Sequence, residues 1–229
     1  MMKTVPNITR LRNSARTLAI AVMSLGAFSA GAQTTTFNYT GSMQTYTVPA
    51  GVTLVRIDAQ GAQGGSVTVA CAATGGLGAR MQGDVTVTPG EVISVLVGGQ
   101  GQTNGEDGGG GGGSFTVRTG NIPLVIAGGG GGASNNIQIC TGNRNGVNAS
   151  ITTSGTASAN GLVAGGTAGN GGGANVGSGG GGGGFNTDGV AGSGNPNGRG
   201  KSYLNGGAGG TPPTSSDNGG YGGGGCGWF

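Results

Sequence analysis

Hydrophobic and polar residues alternate along residues 35–127 in a pattern that predicts short β-strands. The clearest case is residues 52–60, where Thr53, Val55, Ile57 and Ala59 share one side, which is the predicted core face. Proline and glycine together predict turns at 48–51 and 88–91. The predicted strands are TTFNYTG, MQTYTVP, VTLVRIDAQ, SVTVA, ARMQGDVTV, VISVLVG, SFTVR and PLVIA.

From about residue 128 onward the sequence shows no helical period, and glycine dominates. The chain has 61 glycines in 229 residues, against a typical share of about 7%. Glycine costs about 1 kcal/mol relative to alanine inside an α-helix, so little or no α-helix is expected. The sequence predicts a single mainly β domain over 33–229, with a β-rich part at about 35–127 and a polyglycine-rich part at about 128–229.

The glycine runs allow three interpretations: flexible linkers, phosphate-binding loops or ordered extended helices. Linkers are the weaker interpretation, because nearly pure glycine flanks strands inside one domain-sized chain. Glycine without Cβ can form the left-handed polyproline-type helix, with three residues per turn. Ordering glycine costs about 0.5–1 kcal/mol extra per residue, which only a dense backbone hydrogen-bond network could offset. The residues that bound the candidate structural blocks are Gly108, Gly113, Gly128, Gly132, Gly179 and Gly184.

The stretch GNPNGRGKS at 194–202 approaches a phosphate-binding loop but does not match one. The motif needs a glycine five positions before Gly200, and that position is Asn195. No strand pattern precedes the stretch and no helix pattern follows it. We therefore expect neither a nucleotide nor any other cofactor.

The first 32 residues have the order of a secretory signal peptide. A basic start with Lys3 and Arg16 leads into an apolar run, Leu18 to Phe28, and then the small residues Ala30-Gly31-Ala32. The run is shorter than the roughly 20 residues that span a bilayer, and every later apolar stretch contains glycine. The expected location is outside the cell or on its surface, with no transmembrane segment in the mature chain.

The leader also carries four of the 10 basic residues of the chain. Residues 33–229 keep six basic against seven acidic residues, so no basic surface for nucleic acid is expected. The partner predicted instead is an unidentified protein or glycan at the cell surface.

Three cysteines lie in the chain, and export would permit a disulfide. Cys71 and Cys140 both follow short apolar strands and are the favoured pair, which leaves Cys226. Spacing alone does not establish a pairing. No C-x-x-C occurs, so no zinc or redox motif is expected.

Catalysis finds little support in the sequence. The chain has no histidine, which excludes a histidine-based triad, and its acidic residues form no recognisable pair. Contact sites are expected on loops 133–150 and 211–221. Tyr203, Tyr221 and Trp228 are candidate contact aromatics, although such residues more often cap a small core.

Five motifs in order resemble the glycine-rich domain of the anaplastic lymphoma kinase and leukocyte tyrosine kinase family, which also occurs in bacterial secreted proteins. They are YTVPAG with VRIDAQGAQGG, VISVLVGGQG, the run from Gly108 to Phe115, PLVIAGGGGG and GKSYLNGG. The resemblance implies a β-sandwich-like core that carries a bundle of left-handed polyglycine helices. It also gives Lys201 a structural identity in place of a phosphate role.

The chain departs from this family in two ways. No kinase motif is present, so the resemblance implies no kinase activity. The family pattern continues past 219–225 into another glycine block, whereas this sequence reads CGWF, so a last helix is expected to be missing or the sequence truncated. The expected function is a non-enzymatic scaffold that presents loops, and the alternative is a largely disordered glycine-rich coat or matrix protein.

Overall fold

The computed structural model describes residues 33–68, 72–103, 107–134, 144–159, 161–174, 179–213 and 217–227. Its strands are β1 (Gln44–Thr47), β2 (Leu54–Gln60), β3 (Arg80–Thr86), β4 (Val92–Leu96), β5 (Ser114–Arg118) and β6 (Ile122–Ala127). The one helical element among these residues is a 3-10 turn at Tyr203–Asn205. The fold is mainly β with little helix, as the sequence predicts.

The strands form two antiparallel sheets. One has four strands in the order β1-β4-β5-β6, and the other is the hairpin β2-β3. The predicted turns at 48–51 and 88–91 are confirmed, since Gly51 and Gly90 take positive φ values of 82° and 83°. TTFNYTG at 35–41 is not a strand, and Tyr39 in it is exposed. SVTVA contributes only an isolated bridge between Val67 and Ala73, and its last residues lie outside the described part.

The hairpin packs on one face of the four-stranded sheet. Ala59 of β2 is buried against Val125 and Ala127 of β6, and Val55 packs on the cluster around Ile93 and Val95. The alternation in β2 is therefore confirmed, with Leu54, Arg56 and Asp58 exposed. On that outer face Arg56 pairs with Asp84, and Arg80 with Asp58. Exposed pairs of this kind contribute little to stability.

The glycine runs continue the strands beyond one end of the sheets. In the sheet Ser114 faces Ala127, and beyond it Gly111 donates to Gly130 and Gly108 to Ala133 without a shift of register. Leu96 faces Phe115, and Gly112 then donates to Gly99 and Gly109 to Gln102. Only the spacing of the residues that bond to the same neighbour changes, from every second residue in the strands to every third residue in the glycine runs. The bare glycine on both sides of good strands is thus an ordered part of the fold.

Block 108–113 shows the three-residue period directly. Its six amides donate at 2.8–3.0 Å to three different segments, and each segment receives bonds from two residues three apart. A strand would alternate between two directions, and an α-helix would bond within itself, so the block is an extended three-fold helix. None of its glycines has a positive φ, which fits the left-handed form. The donors and acceptors pair as Gly108 and Gly111 with Ala133 and Gly130, Gly109 and Gly112 with Gln102 and Gly99, and Gly110 and Gly113 with Gly225 and Gly222.

These glycine helices, here called rods, lie too close together for side chains between them. A Cβ on Gly112 would overlap the carbonyl of Tyr221, with the carbonyl carbon at 2.5 Å. A Cβ on Gly132 would overlap the carbonyl of Gly108 in the same way, with its carbon at 2.6 Å. Close packing of rods is therefore the reason that these positions are glycine.

Candidate functional site

The glycine-rich residues after 160 build a second group of rods. Gly172 donates to Gly182, Gly200 to Gly181, and Gly183 to Gly223, at 2.7–2.9 Å. The predicted block from Gly179 to Gly184 thus lies within this second group. Gly183 links it to residues 222–227, called rod 222–227 below, which begin with a turn at Gly222 and Gly223, both at positive φ. This segment also accepts the bonds from block 108–113. Both groups therefore belong to one continuous backbone network.

An aromatic cluster attaches the second group to the open face of the four-stranded sheet. Leu96, Phe115 and Val117 of the sheet pack against Phe185 and Tyr203. The Tyr203 ring stacks on Phe185 with centroids 5.3 Å apart, and it lies 5.4 Å from Phe115. Tyr203 is only 8% exposed, so it lies in the core and is not placed for contact with a ligand. Tyr221 packs half-buried on the same cluster, and Trp228 lies outside the described residues.

Asp188 holds the chain around Tyr203. Its carboxylate accepts hydrogen bonds from Lys201 Nζ at 3.0 Å, from the Ser202 amide at 2.9 Å and from Asn205 Nδ2 at 2.9 Å. Burial alone would raise the pKa of Asp188, but the bonds from Asn205, Ser202 and Lys201 outweigh it and hold that pKa well below the ordinary range. Lys201 is therefore ion-paired with Asp188.

We expect Asp188→Asn to lower the free energy of unfolding by about 2 kcal/mol at neutral pH, since it removes charge-assisted hydrogen bonds. The pKa of Asp188 is lower in the folded chain than in the unfolded chain, so this stabilisation is present above the unfolded value of about 3.9. It is lost as the pH falls through the lower folded value. Urea unfolding of both forms between neutral and acid pH should show their difference shrinking below about pH 4. A constant difference would contradict the assignment.

Asp217 is fully buried, at 0% exposure, and neither carboxylate oxygen has a hydrogen-bond partner. A Cβ on Gly227 would lie 3.0 Å from the Asp217 Cβ and 3.1 Å from the Asp107 Cβ, so the two acids lie close together. An unpaired buried charge is costly. This pair could not be predicted from the sequence, because 110 positions separate its members.

We expect Asp217→Asn to raise the free energy of unfolding by roughly 1–3 kcal/mol at neutral pH, because it removes an unpaired charge at nearly the same volume. Chemical denaturation measures the difference. Asp84→Asn is the control, because Asp84 is exposed and paired with Arg56; it should change stability by less than about 1 kcal/mol. A destabilised Asp217→Asn chain would show that the charge itself is needed.

Cys226 is a buried free thiol. Asn195 Nδ2 lies 3.4 Å from its sulfur. Burial raises the pKa of the Cys226 thiol, so the reactive thiolate is disfavoured. Cys71 and Cys140, which the sequence favours as a disulfide pair with each other, both lie outside the described residues. Asn195, which breaks the phosphate-loop motif, is thus a buried residue of this packing.

Among the acids that the structure describes, several have structural partners. Asp58 and Asp84 pair with arginines on the outer face of the hairpin, and Arg118 bonds to Glu91. Glu106 lies outside the described residues. Within the described ranges, no group of three or more acidic or cysteine side chains is arranged to hold a metal ion. In the same ranges no helix is long and apolar enough to cross a bilayer.

The loops of the glycine-rich half carry the most exposed aliphatic side chains. Ile151 is 71% exposed and Leu162 69%. Loop 133–150, predicted as a contact loop, is described from 144 onward and at 133–134, and loop 211–221 at 211–213 and 217–221. These exposed residues could not be found from the sequence, because single aliphatic residues among serine, threonine and glycine carry no periodic signal.

Comparison with protein-family models and with curated proteins finds no match to this chain. The class of protein is therefore defined by the fold alone: a mainly β protein with two antiparallel sheets and a network of glycine rods. The resemblance to the glycine-rich domain stays a prediction.

Proposed function

We propose that the chain is a secreted or cell-surface module without enzymatic activity, in which a rigid glycine scaffold presents loops for adhesion or ligand contact. The observation that carries this proposal is block 108–113, where every amide is bonded to a neighbouring rod. A domain built in this way has a fixed frame, and function then belongs to the connecting loops. Its resemblance to the extracellular glycine-rich domain supports the same proposal.

The loop surface at 151–162 is the proposed contact region. Exposed aliphatic side chains such as Ile151 and Leu162 supply apolar contact area, and the hydroxyl groups around them supply hydrogen bonds. The partner is an unidentified protein or glycan at the cell surface. Lys201, the lysine of the stretch that approaches a phosphate-binding loop, is paired with Asp188 and is not part of the proposed contact region.

Catalysis is not part of the proposal. Histidine is absent from the sequence, and Asp58, Asp84 and Asp188 each pair with a basic side chain. Acids held in ion pairs serve structure more readily than proton transfer. Any turnover that depended on Asp107 would overturn this part of the proposal.

Export and order can be tested together in a bacterial host. We expect the chain to appear outside the cytoplasm with residues 1–32 removed, as shown by cell fractionation and N-terminal sequencing. Native trypsin should then leave Arg199 and Lys201, which are held by Asp188, uncut for as long as Arg56 and Arg80 in the paired strands β2 and β3. Immediate cleavage at Arg199 and Lys201 would favour the disordered coat, and retention in the cytoplasm would contradict export.

The contact region is tested with Ile151→Ser combined with Leu162→Ser. Both side chains are largely exposed, so the double variant should unfold at the same denaturant concentration as the parent chain. Immobilised mucin, chitin, heparin and fibronectin are the probes. The double variant should bind more weakly than the parent chain to each probe that retains the parent chain. The matched control is Leu54→Ser, because Leu54 is also a largely exposed aliphatic residue and lies on the β-hairpin. Unchanged retention in the loop variant would remove this region from the proposal.

A further inference from the structure

Block 108–113, the central rod, is surrounded by other rods on all sides but one. It donates hydrogen bonds to three rods, and Ala62, Gly65 and Gly220 donate to it from two more. These neighbours also bond to one another in sequence around the central rod. Their order is 129–134, 61–65, 98–102, 217–220 and 222–227.

The ring is open between its first and last members. Among the described residues no backbone hydrogen bond joins rod 222–227 to rod 129–134, although each bonds to the central rod. The central rod is also packed less tightly against its neighbours on one side than on the others. A Cβ on Gly110 would find its nearest neighbour at 3.3 Å, whereas a Cβ on Gly109 would overlap a backbone carbonyl. Among the residues that the structure describes, the packing therefore leaves one rod position unoccupied.

Backbone groups along this opening lack partners. In rod 129–134 the amides of Gly130, Gly131, Ala133 and Ser134 donate to neighbouring segments. Gly129 and Gly132 make no hydrogen bond through N–H or C=O within the described part of the chain. They are three residues apart, so they share one edge of the rod. On the opposite wall the Gly225 amide likewise has no backbone partner among the described residues.

A cavity of 1280 Å³ lies at the opening, and its lining includes Gly110, Gly129, Gly132 and Gly225. Backbone N–H and C=O groups in such a place need partners. At a rise of about 3.1 Å per residue, the edge groups of Gly129 and Gly132 repeat every 9 Å or so, which is one turn of the three-residue helix. A chain with the same rise meets both in register. A β-strand turns to its other face over three residues and does not.

We propose that this cavity binds a glycine-rich peptide segment of another polypeptide, in the extended three-residue helix, as an added rod between 129–134 and 222–227. The close spacing of the neighbouring rods excludes side chains on those faces of the bound peptide that point inward, so glycine is required there. A methyl group fits only on the edge of the bound peptide that faces solvent. The inference rests on the rigid scaffold of the proposed function and is independent of the loop contacts.

The test uses the purified chain and a fluorescent decapeptide with the sequence EDGGGGGGSF, which is residues 106–115 of this protein. One variant, EDGGAGGASF, carries alanine at every third position, and another, EDGAGAGASF, at every second. We expect the parent and the every-third peptide to bind, because the methyl groups of the latter share one edge and can face solvent. The every-second peptide should bind at least about tenfold more weakly, because its methyl groups point to all sides.

Amide exchange followed by NMR locates the site. Peptide binding should slow exchange at Gly129 and Gly132 and leave Gly130 and Ala133, which are already bonded, unchanged. The proposal is overturned by no binding of the parent peptide, by equal binding of both alanine peptides, or by binding that does not protect Gly129 and Gly132. Slow exchange at these two amides in the free protein would overturn it as well. Loss of protection throughout block 108–113 would instead contradict the scaffold itself.

Discussion

Replacing Gly132 by alanine is expected to lower the free energy of unfolding by about 3 kcal/mol or more, and so to unfold a large share of the chain. The new Cβ would overlap the Gly108 carbonyl, whose carbon would lie at 2.6 Å. The obstacle is backbone of the central rod, so no side-chain rotation relieves it. The Gly108 amide also bonds to Ala133, so moving the two rods apart breaks their hydrogen bonds. Urea denaturation followed by circular dichroism measures the loss.

Gly128→Ala is the matched control, four residues earlier in the same run. There the new Cβ would find only the Ala149 Cβ at 3.7 Å, an ordinary contact, and the φ of Gly128 is not positive. This variant should gain about 0.5 kcal/mol, because alanine restricts the unfolded chain. Equal effects at Gly132 and Gly128 would mean that these glycines are linkers and not packed rods.

Tyr203→Ala is expected to cost about 4 kcal/mol, the range of large-to-small aromatic substitutions in a core. Tyr203 stacks on Phe185 and contacts Phe115, so its ring joins the glycine-rich half to the sheet. Its loss should free the segment around Lys201, which native trypsin would then cleave. Denaturant unfolding gives the stability change, and digestion gives the location.

Tyr203→Phe is the control for this cluster. It keeps the stacked ring and removes only the hydroxyl group, so a change below about 1.5 kcal/mol is expected, with Lys201 still protected. If Tyr203→Ala were as stable as the parent chain, the aromatic cluster would not attach the two halves.

The strands could be predicted because hydrophobic and polar side chains alternate along them with a period of two residues. In β2 the alternation of Val55, Ile57 and Ala59 with Arg56 and Asp58 marks the two faces of a sheet. TTFNYTG alternates in the same way but pairs with no strand, since its Tyr39 ring lies over Gly99 beyond the end of β4. Alternation therefore predicts a strand only where a neighbouring edge is free to pair.

The arrangement of the glycine rods could not be predicted, because glycine has no side chain to mark the phase of its helix. Composition allowed linkers and ordered helices alike, and only the pairing of Gly108 with Ala133 and Gly111 with Gly130 shows the three-residue period. The anchoring of Asp188 on Lys201, the burial of Asp217 and the position of Tyr203 also depend on how distant segments meet. Local sequence pattern carries no record of such contacts.

Residue-resolved amide exchange decides whether the glycine runs are ordered rods with a three-residue period. We expect slow exchange at all six amides of 108–113, because each donates to a neighbouring rod. In 129–134 we expect slow exchange at Gly130, Gly131, Ala133 and Ser134 and fast exchange at Gly129 and Gly132. Fast exchange throughout both segments would instead show a disordered coat, and protection at every second residue would show a strand; neither result is compatible with packed glycine rods.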